Sequence, residues 1–78
     1  MITADRYRPV EAHGKFSTVE CYFQRNPLGD WEWKEYAVVE TSPRNGEVTR
    51  EVARFNASSD EEAKVVGVRL AQKYGLYP

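Results

Sequence analysis

A chain of 78 residues and 9.0 kDa makes one small domain, which buries only about 60% of the surface its unfolded form exposes and has no room for a large enclosed cleft. Eleven Lys/Arg against twelve Asp/Glu leave a net charge of −1, which disfavours both a basic nucleic-acid module and an acidic DNA mimic. One Cys excludes an internal disulfide, and one His excludes a His/Cys zinc site of ordinary ligand count.

The first fourteen residues carry neither the helical nor the strand period. Pro9 removes a backbone donor, and His13-Gly14 breaks the chain. This reads as a loosely ordered arm over 1–14, adding at most an edge contact through Tyr7, ahead of a single domain over 15–78.

Lys15 to Arg25 alternates with period two, Val19, Cys21 and Phe23 on one parity and Phe16, Thr18, Glu20, Tyr22 and Gln24 on the other. β-Branched and aromatic residues at that period predict a strand. Asn26-Pro27-Leu28-Gly29-Asp30 predicts a hairpin loop. Trp31 to Thr41 is the second predicted strand, with Trp31, Trp33, Glu35, Ala37 and Val39 sharing one parity. The tryptophans make that parity the better core candidate, although Glu35 sits awkwardly on it and calls for a bulge or a wet strand end. Ser42-Pro43-Arg44-Asn45-Gly46 predicts a second hairpin loop, Asn and Gly both tolerating positive φ. Glu47 to Phe55 is the third strand, and neither of its sides is cleanly apolar; Phe55 is placed inward because it precedes the helix.

Ser59-Asp60-Glu61-Glu62 has the form of a capping box, with three carboxylates at the positive end of a helix dipole. Ala63, Val66, Gly67, Leu70 and Tyr74 form one helical stripe. Gly67 costs about 1 kcal/mol of helix propensity, which close approach of the helix to the sheet would offset. Gly75 is placed to end the helix, with Leu76 behind it. The expected fold is α+β: a three-stranded antiparallel β-meander with one C-terminal α-helix packed on one face.

One helix covers one face. With Val19, Cys21, Phe23, Ala37, Val39, Ala53, Phe55 and at least one Trp beneath the helix, the other face would show Phe16, Thr18, Tyr22, Tyr36, Val38, Val48 and Val52, mixed with Glu20, Lys34, Glu40, Arg50 and Arg54. A face left to water is expected to be mostly polar, whereas aromatics and Arg are enriched in interface cores. Tyr22, Tyr36, Val38, Arg50, Val52 and Arg54, followed by Trp31 and Trp33, are therefore the candidate contacts for a protein partner or a second copy of the chain.

Catalytic and metal chemistry finds little footing. Cys21 falls mid-strand on the core parity and His13 in the arm, a poor nucleophile and base pair. Glu32 and Glu40 alternate away from Glu35, which splits the one carboxylate group. No glycine-rich phosphate loop occurs among the scattered glycines. The expectation is a non-enzyme without cofactor, metal or small-molecule substrate. No apolar run reaches the roughly 18 residues of a membrane span, so a soluble cytoplasmic location is expected.

Three resemblances bear on the partner. Gly29-Asp30-Trp31, Arg54-Phe55, Ser59 and Glu61-Glu62-Ala63 are similar to plant ethylene-response-type DNA-binding domains, which implies a sheet that reads DNA, here through Arg44, Arg50, Arg54 and Lys34. Residues 1–57 carry eight basic and nine acidic side chains, without the basic excess that phosphate binding draws on. The helix start also resembles that of double-stranded-RNA-binding domains, but Asp60, Glu61 and Glu62 stand where those place lysines. Finally, Val19-Glu20-Cys21-Tyr22-Phe23, Trp31-Glu32-Trp33 and the Ser59-to-Ala63 helix start resemble small anti-CRISPR-type inhibitors of phages and mobile elements. That resemblance implies steric blocking of a host nuclease complex at its protein surface, and carries over no functional residue.

Overall fold

The computed structural model describes residues 6–24 and 32–77. Four strands, β1 (Arg6–Ala12), β2 (Phe16–Gln24), β3 (Glu32–Thr41) and β4 (Val48–Phe55), precede one helix, α1 (Asp60–Lys73). The strands form a single antiparallel sheet in the order β1-β2-β3-β4. The α+β class, the meander and the C-terminal helix match the expectation; the number of strands is four among the described residues, not three.

The additional strand is the supposed arm. Two features hide it from period counting. Pro9 occupies an edge strand, where a missing N–H is tolerated, and the register against β2 slips at Val10, between the Pro9–Val19 and Glu11–Thr18 pairs. His13-Gly14 is the turn that closes this hairpin: His13 N–H donates to Phe16 O at 2.8 Å, and Gly14 has φ +78°.

β4 is irregular for a similar reason. Its partners on β3 skip Val52 and then Thr49, so two bulges each shift the alternation by one residue. Val52 thereby packs on the same side as Phe55, and Glu51 and Arg54 fall on the other. The β3–β4 loop closes with Gly46 N–H donating to Ser42 O at 2.8 Å. Only Gly46 takes positive φ there; Asn45 does not.

The helix follows its local sequence closely. Ser59 caps it, accepting the Glu62 N–H at 3.2 Å, while the Glu62 carboxylate accepts from the Ser58 hydroxyl at 2.6 Å. At the other end Gly75 (φ +78°) and Leu76 donate to Gln72 O and Ala71 O at 3.2 and 2.8 Å, a Schellman ending with Leu76 packed back on the core. Ala63, Gly67 and Ala71 are the buried residues of α1; Tyr74, expected to end that stripe, is instead half exposed at the C-cap.

On β2 and β3 the expected faces are reversed, whereas Phe55 on β4 lies on the helix side as expected. The helix covers Phe16, Thr18 and Val38 rather than Val19, Cys21, Ala37 and Val39. Phe16, Val38 and Ala71 form the cluster beneath it, with Val52, Phe55, Leu70 and Leu76 around them. Val19, Cys21, Ala37 and Val39 make a second buried cluster on the far face, flanked by Tyr7 and Val48. That far face is not left open. The Tyr7 hydroxyl, from β1, donates to Glu51 on β4 at 3.1 Å, so the ring spans both central strands above side chains as small as Cys21 and Ala37. Glu35 also belongs to this face, 3.6 Å from Arg54, and needs no bulge.

Candidate functional site

The helix starts beside the middle of the sheet. Asp60 Oδ1 accepts from Tyr36 Oη and from an Arg8 terminal nitrogen, both at 2.8 Å. Gly67 lies on Thr18 and Ala71 on Phe16 and Val38, so α1 runs antiparallel to β2 and begins level with Glu20. From Glu20 to Gln24 the strand continues about 13 Å further at ~3.3 Å per residue. This sheet end carries Tyr22, with the Arg6 guanidinium 4.5 Å and the Lys34 ammonium 5.6 Å from its ring centre. Tyr22 and Tyr36 are half-buried, while Arg6 and Lys34 are exposed.

One polar network joins this end to the helix. Arg8 Nε donates to Glu20 Oε1 at 2.9 Å, and Tyr22 Oη donates to the same oxygen at 2.6 Å. Burial pushes the Glu20 carboxyl up, but the Tyr22 and Arg8 hydrogen bonds outweigh it and hold it below its ordinary range. Hydrogen bonds from Arg8 and Tyr36 likewise hold Asp60 down. The bond to Asp60, with burial behind it, raises the Tyr36 hydroxyl to about 12. Arg8, bonded to Asp60 and Glu20, is raised above its already high value. Three hydroxyl or guanidinium donors thus meet two carboxylates around a side chain that bridges β1, β2 and α1. Such a cluster fixes geometry, joining β1, β2 and the start of α1 through side chains.

The sequence candidates fall into separate places. Tyr22 and Tyr36 come together in this network. Val38 is wholly buried under the helix, and Val52 packs on the same cluster; neither offers the exposed contact expected of it. Arg50 lies exposed and pairs with Glu40. Arg54, on the opposite face, donates from Nε to Glu51 at 2.6 Å. These two arginines therefore do not make one basic reading surface. Trp31 lies outside the described residues, as does the predicted loop at 26–30. Trp33 pairs with Phe23 along the β2–β3 ladder, and their side chains lie outside the described part.

Arg6 and Arg8 escaped sequence reasoning because the segment that carries them did not read as a strand. The available signal was Arg6-Tyr7-Arg8, whose alternation lasts three residues before Pro9.

The other reactive groups lie apart from this network. Burial, followed by the charge of Glu51, pushes the Cys21 thiol up to about 12, so it stays protonated and weakly nucleophilic. His13 stacks on Phe16 at 4.7 Å, pairs with Glu11, and touches Tyr77 edge-on; it belongs to a different end of the molecule. Among the described residues no group of three His, Cys, Asp or Glu side chains could hold a metal ion, and no helix is long and apolar enough to cross a membrane. No protein-family model matches the chain, and neither a curated protein nor a solved structure matches it.

Proposed function

We propose that the chain is a small non-enzymatic binding module that docks a protein partner through the sheet end beyond the helix, with Tyr22, Arg6 and Lys34 at its centre and Tyr36 at its border. The supporting observation is Tyr22 between two cations on a part of the sheet that extends past α1. Tyr and Arg are the side chains on which binding energy concentrates, because each offers a wide rigid surface together with hydrogen-bonding edges. The Arg8 network fixes Tyr22 before any partner arrives, which lowers the ordering cost of association. The action is steric: occupancy of a surface that another macromolecule needs, as in the phage-type inhibitors of nuclease complexes that the sequence resembles.

The test is affinity capture from the native host with the chain as bait, followed by direct titration of whatever is captured. Tyr22→Ala should weaken binding by at least about tenfold, or ~1.4 kcal/mol, in a variant that still melts cooperatively, at a lower temperature because Glu20 loses a donor. Arg44→Ala, in the β3–β4 loop at the far end, should bind as the parent does. Lys34→Glu provides a second reading in case Tyr22→Ala does not fold. A partner held equally well by both variants overturns the proposal.

A further inference from the structure

The outward side of α1 is not uniformly polar. Val65 is 53% exposed, and Val68 stands one turn further along the same side. Glu61 and Gln72 extend the line to spacings of four, three and four residues, the spacing of a seam between paired helices. Glu11, Lys64, Arg69 and Gln72 border a shallow hollow of about 460 Å³ against the two valines. Charge is polarised along the helix: Asp60, Glu61 and Glu62 fill the first turn, and Lys73 lies in the last. Glu62 and Arg69 are seven residues apart, two turns along one flank of the valine line. Lys64 is already paired with Glu61 at 3.2 Å, whereas Arg69 makes no ion pair or hydrogen bond among the described residues.

We propose that this side of α1 is a contact for a second copy of the chain, with the two helices antiparallel about a two-fold axis between Val65 and Val68. Each valine pair then meets the other copy's pair and its hollow. Glu62 comes beside the second copy's Arg69, offset along the axis by about 3 Å at 1.5 Å per residue, within reach of two long side chains. The two-fold axis makes this pair twice. A parallel arrangement would carry this flank of the two copies to opposite sides of the seam, so the Glu62–Arg69 pair forms only in the antiparallel one. The contact is smaller than a standard interface, and a dissociation constant in the range of about 0.1–1 mM is expected.

Sedimentation equilibrium of the full chain up to about 1 mM tests this on a scale where the monomer weighs 9.0 kDa. The apparent mass should climb toward twice that value. Val65→Lys and Arg69→Glu should each weaken association by about tenfold or more, with unchanged melting, since both residues are exposed. Mixing Arg69→Glu with Glu62→Lys should restore association, because the mixed pair has an opposite charge at both contacts. A mass that stays at the monomer value, or a dimer indifferent to Val65→Lys and Arg69→Glu, overturns the proposal. Failure of the mixture to associate while both single variants fold overturns the antiparallel pairing.

Discussion

At Gly67 two elements compete for one small volume. A Cβ there would lie 2.2 Å from Thr18 Oγ1 and 3.1 Å from Thr18 Cγ2, and Thr18 is wholly buried. The close approach inferred from a mid-helix glycine is therefore real, and it has a cost of its own: Thr18 Oγ1 finds no hydrogen-bond partner among the described residues. Gly67→Ala gains about 1 kcal/mol of helix propensity but overpacks the site, which typically costs ~1–3 kcal/mol. At 2.2 Å from an atom with no room to retreat, overpacking wins, and urea unfolding should show a net loss of about 1–2 kcal/mol. Thr18→Ala removes the two nearest atoms, Oγ1 and Cγ2, and leaves only Thr18 Cβ at 3.2 Å. The double variant Gly67→Ala/Thr18→Ala should consequently be more stable than Gly67→Ala alone by ~1 kcal/mol or more, a non-additivity that a double-mutant cycle measures directly. Strict additivity would mean that the two residues do not meet.

Between elements, Arg8 is the fastener that joins β1 and β2 to the start of α1. Glu20 and Asp60 have folded-state pKa values below their ordinary ones. Their contribution to stability is therefore present above about pH 4, where the unfolded carboxyls are ionised, and is lost as pH falls through the lower folded values. Arg8→Gln removes one donor from each carboxylate, so its acid-unfolding midpoint, followed by far-UV circular dichroism, should move to higher pH than that of the parent; an unchanged midpoint would deny Arg8 this role. The same elements show what sequence could and could not reveal. The helix and its caps were legible because Ser59, Gly67, Gly75 and Leu76 act within a few residues of one another. The longer strands were legible from alternation. The faces were not, because parity says which residues share a side but not which side meets the helix. Trp31 and Trp33 argued for the Ala37/Val39 side, whereas Gly67 fits against Thr18 and the bulkier Phe16 and Val38 fill the space around Ala71. β4 resisted reading because its bulges at Thr49 and Val52 reset the parity twice. β1 was missed because Pro9 and the slip at Val10 interrupt it. For the candidate site this meant that, of residues chosen on the same side, Tyr22 and Tyr36 join the Arg8 network, while Val38 is buried beneath the helix and Val52 packs against the same cluster.

Across the described residues the sheet is longer than the helix that covers it. One end lies beneath α1, with Phe16, Thr18 and Val38 buried, and the other runs past Asp60 with Tyr22 between two cations. The strands are continuous, but the protection they receive is graded. Native-state hydrogen exchange should read this gradient along a single ladder: the amides of Phe16 to Glu20 and Tyr36 to Val39 should open only with global unfolding, while those of Tyr22 to Gln24 and Glu32 to Lys34 exchange through local fraying. A ligand clasped at the overhanging end would slow only the second group. The fraying ladder is thus a built-in reporter of occupancy, readable amide by amide before the ligand itself has been identified.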